Sequence, residues 1–325
     1  MTKNIMIIDG RWFTNVGESF INLGATELAK RIWPESNVIT CGDMTEYFML
    51  HERGVKASFW HKLLRNYRER EKRLDQDGMI FHFSDAYKPD IIIQCGMLVG
   101  DFYLEDYHVD HIHDLVKNGA RIAYLGVGKA DYSDKATVDK WVEFVNELNP
   151  LIVTTRDTTT FNELNGKLDC PLVNAIDTAF WLKDAVTIPE FSTTGYDLVT
   201  YNRSAEPDYI KEEVWPRKII RPWHLQFDWE GRHAKKCTFI SDSILDYMTL
   251  YRNAHEVHTD LVHATIISLQ YGVPVKNQPT DGRIKVLENL EGLSKDENGF
   301  LHLDIEKLES QKKRVIAGIR EKLGE

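Results

Sequence analysis

The chain has 325 residues, with 40 Lys plus Arg against 50 Asp plus Glu, for a formal charge of −10. Hydrophobic residues make up 42% and aromatics 11%, which excludes disorder over most of the chain and, with the length, fits about two domains. The negative balance excludes a general attraction to nucleic acid or anionic lipid, so an anionic ligand has to be met by a local cluster of cations.

Short apolar runs alternate with longer amphipathic stretches, the pattern of strands buried on both faces between helices. Asn4–Asp9 reads as the first strand, Gly17–Trp33 as a helix stopped by Pro34, and Ser36–Cys41 as the second strand. His61–Gln76 reads as a solvated helix, because its Arg and Lys residues compensate Glu69, Glu71 and Asp75 at helical spacing. Asp90–Gly96 is a strand ending in glycine, and Val109–Lys117 a helix closed by Asn118-Gly119. Ala120–Leu125 is a strand running into Gly126-Val127-Gly128. Lys135–Leu148 is a helix with an apolar face, Leu151–Thr155 a strand, Thr158–Leu164 a helix, and Cys170–Ile176 a strand leading to Asp177. After a Pro- and Thr-rich stretch at Ala185–Gly195 come strands at Tyr196–Tyr201, Lys218–Arg221, Lys236–Ser241, His255–His258 and Val273–Lys276. Helices fall at Ile244–Arg252 and Val262–Tyr271, and the last 20 or so residues form an amphipathic helix.

This order predicts an α/β protein with two Rossmann-like, doubly wound parallel sheets facing a cleft. The expected units are 1–188 and 189–325, with the last helix packing back on the first unit. The four cysteines form no C-x-x-C pair, read as buried thiols, and suit a cytoplasmic protein. No stretch is apolar for long enough to cross a membrane or act as a signal segment.

In doubly wound sheets ligands bind at the carboxyl ends of strands, which directs attention to five loops. Asn15-Val16-Gly17-Glu18 begins a helix whose backbone N–H groups could receive an anion or a hydroxyl-rich ligand. Gly96, and Gly126 with Gly128, allow close backbone approach after two strands. Arg156 ends a strand and carries the fixed fork of donors that carboxylates and phosphates require. His258 closes a strand, Asp260 can cap the following helix, and His263 sits in the first turn of that helix, where an imidazole can serve as acid and base. Asp106, His108, Asp110, His111, His113 and Asp114 lack metal-ligand spacing, so no metal is expected. Trp12, Phe13, Trp60, Trp223 and Trp229 offer stacking surfaces for sugar rings, although scattered aromatics are commonly core.

Together these loops resemble the polysaccharide pyruvyl transferase family. Asn15-Val16-Gly17-Glu18 is similar to its Asn-x-Gly-Asp motif, Tyr124–Gly128 to its Gly-x-Gly loop, Val153–Asp157 to its strand-Arg-acid element, and Asp177-Thr178-Ala179-Phe180 to its Asp-Pro-x-Phe. His263-Ala264, followed by Gly272-Val273-Pro274-Val275, resembles the Arg-Leu-His-Ala…Gly-Val-Pro-Val signature. Leu261 stands where that signature has arginine, and Glu18 where the family has aspartate.

The resemblance implies a GT-B-like fold and transfer of a pyruvyl group from phosphoenolpyruvate to a sugar as a ketal, in exopolysaccharide synthesis. Phosphoenolpyruvate is then a co-substrate, no cofactor is implied, and the partners are a small-molecule donor and a sugar acceptor. On this resemblance His263 and Glu18 are the catalytic candidates. Arg156, His258, Asp260, Lys285, Arg203 and Arg221 are candidates for the donor side, and Asn15, Gly17, Gly96, Gly126 and Gly128 for the acceptor side. Leu261 cannot hold an anion, so either Arg203, Arg221 or Lys285 replaces the missing arginine or the donor differs. A glycosyltransferase using a nucleotide sugar, or a non-catalytic family member, is the alternative.

Overall fold

The computed structural model describes residues 2–8, 15–42, 81–100, 107–129, 137–191, 195–210, 218–224 and 235–325. The helix expected at His61–Gln76, and Trp12, Phe13, Trp60 and Trp229, lie outside the described residues.

The first half is a parallel sheet in the order β2-β1-β3-β5-β6-β7, with β4 paired to the end of β5. Its strands are β1 (Asn4–Ile8), β2 (Asn37–Cys41), β3 (Ile91–Cys95), β4 (Leu98–Val99), β5 (Arg121–Lys129), β6 (Val153–Thr155) and β7 (Leu172–Asn174). Helices α1 (Val16–Ile32), α2 (Phe83–Tyr87), α3 (Tyr107–Lys117), α4 (Thr137–Leu148) and α5 (Thr158–Leu164) connect them. A 3-10 turn at Thr178–Trp181 and α6 (Leu182–Ala185) lead to the second half.

There β8 (Tyr196–Thr200), β9 (Lys218–Pro222), β10 (Thr238–Phe239), β11 (Val257–Thr259), β12 (Val275–Asn277), β13 (Leu293–Lys295) and β14 (Leu301–Leu303) take the order β10-β9-β8-β11-β12-β14-β13. Helices α7 (Ile244–Arg252) and α8 (Val262–Gln270) flank β11 in sequence, a 3-10 helix at Gly282–Leu287 follows β12, and α9 (Ile305–Leu323) ends the chain.

The expected fold class holds, with four departures. The strand expected to end at Leu125 runs on to Lys129, because Gly128 N–H bonds the carbonyl of Met97 and so adds β4 alongside it. Lys236–Ser241 shortens to Thr238–Phe239, since Cys237 turns the chain with φ 64°. The β13–β14 hairpin was not expected. Its strands are three residues each, too short for a period-2 pattern, and antiparallel pairing carries them beyond the parallel part of the sheet. The thiols are not buried: Cys41, Cys95 and Cys170 are half-buried and Cys237 is exposed at its turn.

Helix α1 joins the halves. Asn15 caps its start and Lys30 and Arg31 lie in its last turn, as the helix dipole favours. Phe20, Ile21, Ala25, Leu28 and Ile32 belong to one apolar cluster that continues through Phe180 and Trp181 of the linking 3-10 turn and Tyr247, Tyr251, Ile266 and Leu269 of the second half. Each large side chain buried there contributes roughly 1.5–3 kcal/mol. Gly24 allows this contact, because a Cβ there would lie 2.0 Å from the carbonyl oxygen of Thr178. Buried Gln270 of α8 fastens the seam, donating to the Ala179 carbonyl at 2.7 Å and accepting from Lys183 N–H at 3.2 Å. A second cluster, around Tyr124, Trp141 and Val145, fills the other face of the first sheet. Helix α9 returns to the first half: buried Lys312 bonds Asp184, and Glu325 receives Lys3 Nζ and Trp33 Nε1.

Candidate functional site

Two helix starts meet at the seam, α1 from the first half and α8 from the second. In α1 the first three N–H groups are all engaged: Val16 bonds the His224 carbonyl at 3.0 Å, Gly17 bonds Asn15 Oδ1 at 3.1 Å, and Glu18 bonds the Asn15 carbonyl at 3.0 Å. Glu18 itself accepts from Asn15 Nδ2 at 2.9 Å. The expected anion site on these N–H groups is therefore not available, because the Asn15 cap and the loop from the second half already satisfy them.

Gly17 leaves space for His263. A Cβ at Gly17 would lie 2.4 Å from His263 Nδ1, so the imidazole edge rests on the glycine backbone. His263 Nε2 is buried and has no hydrogen-bond partner among the described residues. Burial pulls its pKa down from 6.5 to about 4, and the charges of Arg156, Arg283 and Arg203 push the same way while Asp177 opposes them. His263 is thus neutral near pH 7, on the first turn of a helix whose N-cap, Leu261, supplies no side-chain bond. Leu261 belongs to the apolar core.

Arg156 follows β6 and is almost wholly buried. Its Nη1 donates to Asp177 Oδ2 at 3.2 Å, while Asp177 Oδ1 accepts from Ala179 N–H and caps the 3-10 turn. The guanidinium lies across Gly128, where a Cβ would come within 2.3 Å of Nε. Arg156 Nε is buried without a partner among the described residues. A buried donor left unmatched costs about 1–3 kcal/mol, which makes Arg156 Nε a candidate ligand contact.

Arg203 and Arg283 form a more open side of the same cluster, with Asp281 between them. Arg283 was missed in the sequence, where Lys285 was preferred. The usable signal was its place two residues after Asp281, which caps the 3-10 helix that follows β12.

The remaining candidates serve other contacts. Lys285 donates to Thr159 Oγ1 at 3.0 Å across the seam. Arg221 grips Glu206 with Nε and Nη2 and donates Nη1 to the Lys236 carbonyl. Asp260 accepts from the N–H groups of Asn202, Arg203 and Ser204 and from the Ser204 hydroxyl, so it shapes the loop that carries Arg203. His258 is buried in the sheet, bonded to Tyr209 OH at 3.3 Å and Glu256 at 3.1 Å. Gly96 takes φ 63° at the bend after β3, against Ile21, and Gly126 takes φ 72° at a register shift inside β5, against Thr178. Trp223 is buried, its carbonyl bonded by Tyr247 OH.

Asp197, His255 and Glu256 place three ligand-type atoms within 4.8 Å of one another. They lie at the amino-terminal ends of β8 and β11, the opposite end of the sheet from His263. Among the described residues, no helix is long and apolar enough to cross a membrane.

The family model for polysaccharide pyruvyl transferase matches residues 15–275. No curated protein sequence matches the chain. Among solved structures, a protein described as a UDP-N-acetylglucosamine 2-epimerase from Listeria monocytogenes superposes with TM-score 0.52 at 14% identity, covering 100% of this chain and 91% of that one. The UDP-GlcNAc 2-epimerase from Methanocaldococcus jannaschii gives TM-score 0.51 at 14% identity, over 96% of this chain and 92% of that one. The enzyme from Neisseria meningitidis bound to UDP-GlcNAc gives 0.51 at 12%, over 98% and 94%. At such identities the likeness is one of fold, and the fold is the two-halved GT-B type.

Proposed function

The chain belongs to the polysaccharide pyruvyl transferase family, and on that premise we propose that it moves a pyruvyl group from phosphoenolpyruvate to two hydroxyls of a sugar, forming a ketal. The chain is a transferase of polysaccharide modification; the donor and the chemistry below are our reading. The observation that carries it is the buried Arg156, lying on Gly128, held by Asp177, and with Nε unmatched beside a neutral His263.

The donor is a small molecule with a phosphate and a carboxylate. Arg156 supplies a fixed fork in a dry setting, Arg203 and Arg283 supply charge on the more open side, and the first turn of α8 presents its positive end. No cofactor enters this scheme. Burial keeps His263 neutral, with the charges of Arg156, Arg283 and Arg203 acting the same way, and the donor's negative charge offsets the arginine part of that effect. His263 then gains a proton and can hand it to the donor's methylene carbon, and this carbon becomes a methyl group.

As C2 becomes electron-poor, one sugar hydroxyl adds to it and the bond from C2 to the phosphate oxygen breaks. A second hydroxyl then closes the ketal. Of the two hydroxyl protons, one replaces the proton delivered to the methyl carbon and the other leaves with phosphate. Glu18 follows Gly17, on which His263 rests, and accepts from Asn15 Nδ2; it is our candidate to take a hydroxyl proton on the acceptor side. The cysteines form no disulfide among the described residues, which suits the reducing cytoplasm proposed here.

Phosphate release from phosphoenolpyruvate is the test, with a panel of glycan or lipid-linked sugar acceptors. Wild-type protein releases phosphate with the right acceptor, and His263→Gln lowers turnover at least ~100-fold with the fold intact. No release with any acceptor, together with no thermal stabilisation by phosphoenolpyruvate, removes this reading.

A further inference from the structure

Arg203 and Arg283 come from different loops, yet the sheet delivers them to one place. Arg203 follows β8 and Arg283 lies in the 3-10 helix after β12. Strands β8 and β12 pair with β11 on either side, and β11 runs into the helix that carries His263. Both pairings are parallel, so the three side chains start from the same end of the sheet.

Asp281 stands between the two arginines. Its Oδ2 accepts from Arg283 Nε at 2.9 Å and lies 2.7 Å from Arg283 Nη2 and 3.5 Å from Arg203 Nη1. Its Oδ1 accepts the Arg283 N–H at 3.0 Å. The carboxylate therefore occupies the Nε edge of Arg283, which turns the other edge of the fork, with Nη1, away from Asp281. Burial pushes the Asp281 pKa up, but hydrogen bonds from Arg283 and the charges of both arginines outweigh it and hold it below the ordinary 3.8. At working pH Asp281 is an anion that offsets the repulsion between two neighbouring guanidiniums.

Resting on the pyruvyl-transfer reading, we propose that Asp281 is a positioning residue of the donor site. It fixes Arg283 and Arg203 as the cation pair facing His263, at a helix start where Leu261 gives neither charge nor cap. By this arrangement Asp281 sets affinity for an anionic donor and leaves the chemical step alone.

Asp281→Asn separates the roles, because an asparagine oxygen can still accept the Arg283 N–H while the charge is lost. The variant is compared with wild type by steady-state kinetics on phosphoenolpyruvate and by thermal shift with phosphoenolpyruvate and inorganic phosphate. The expected result is a KM for phosphoenolpyruvate raised at least ~10-fold with kcat within about threefold, loss of the phosphate shift, and partial recovery of KM in Asp281→Glu. An unchanged or lowered KM, or a fall in kcat at constant KM, overturns the assignment. Should Asp281→Asn not fold, Arg203→Gln decides: a raised KM supports the pair and an unchanged KM overturns it. Wild type that turns over phosphoenolpyruvate, with Asp281→Asn matching it, removes this assignment alone. Wild type that neither binds nor uses phosphoenolpyruvate removes the donor reading and this assignment with it.

Discussion

The two helix starts at the seam look alike in sequence logic and differ in chemistry. At α1 an asparagine cap and a carbonyl from the second half take up the first-turn N–H groups. At α8 the cap is a leucine with no side-chain bond, and three arginines act on the histidine of its first turn. The first-turn N–H groups of α1 are already engaged, and for that reason the proposed anionic donor is assigned to the α8 side. The α1 side contributes shape, because Gly17 leaves the space that the imidazole fills.

The sharpest way to break this contrast is Gly17→Ala. The new Cβ would meet His263 Nδ1 at 2.4 Å and Cγ at 3.0 Å, so the ring must move. Alanine is the better helix former, by about 0.5–1 kcal/mol, so stability should hold within about 1 kcal/mol while turnover falls ~100-fold or more. Turnover near wild type would show that the imidazole does not need this seat.

Acid should reveal the desolvation on the α8 side. His224 is buried and His263 is half-buried with its Nε2 enclosed; their pKa values are pulled from 6.5 to about 3 and about 4, with desolvation the chief cause in each. Between pH 6.5 and these values the unfolded chain binds more protons than the native one, so stability is complete above 6.5 and declines as pH falls below it. Melting temperature measured from pH 7 to pH 4.5 should drop, and His263→Gln should make the drop shallower. An identical slope in that variant would mean that His263 is not held neutral.

Asn15→Ala gives the smallest effect. It removes the cap of α1 at a cost of about 1 kcal/mol and should leave KM for an anionic donor within about twofold, because the N–H groups it exposes lie on the acceptor side. Urea unfolding and donor kinetics check the two halves of the statement. A large rise in donor KM would place the anion at α1 after all.

Much of this was legible in order along the chain. Alternating apolar runs and amphipathic stretches announced two parallel sheets, since strands covered on both faces carry few polar residues and helices show their own period. Arg156, His263 and Gly17 were visible because strand-end loops carry ligands and each sits in one. Arg283 was not, since a lysine two residues later fitted the same pattern and nothing local says which side chain crosses to Thr159 and which turns to His263. Asp260 misled for a similar reason: a carboxylate before a helix reads as its cap, whereas it folds across to bond the Asn202–Ser204 backbone. Asp177 lay in a matched motif, but its grip on Arg156 links residues 21 apart.

The sequence by itself therefore determined the fold class, the two parallel sheets and the loops that hold the candidate residues, because these follow from local periodicity and from parallel-sheet topology. Only the tertiary structure decided that the first-turn N–H groups of α1 are engaged, which arginines act on His263, and which carboxylates hold those arginines. Those outcomes depend on pairings between distant segments, and hydrogen-bond capacity is settled only when every buried donor has found its acceptor.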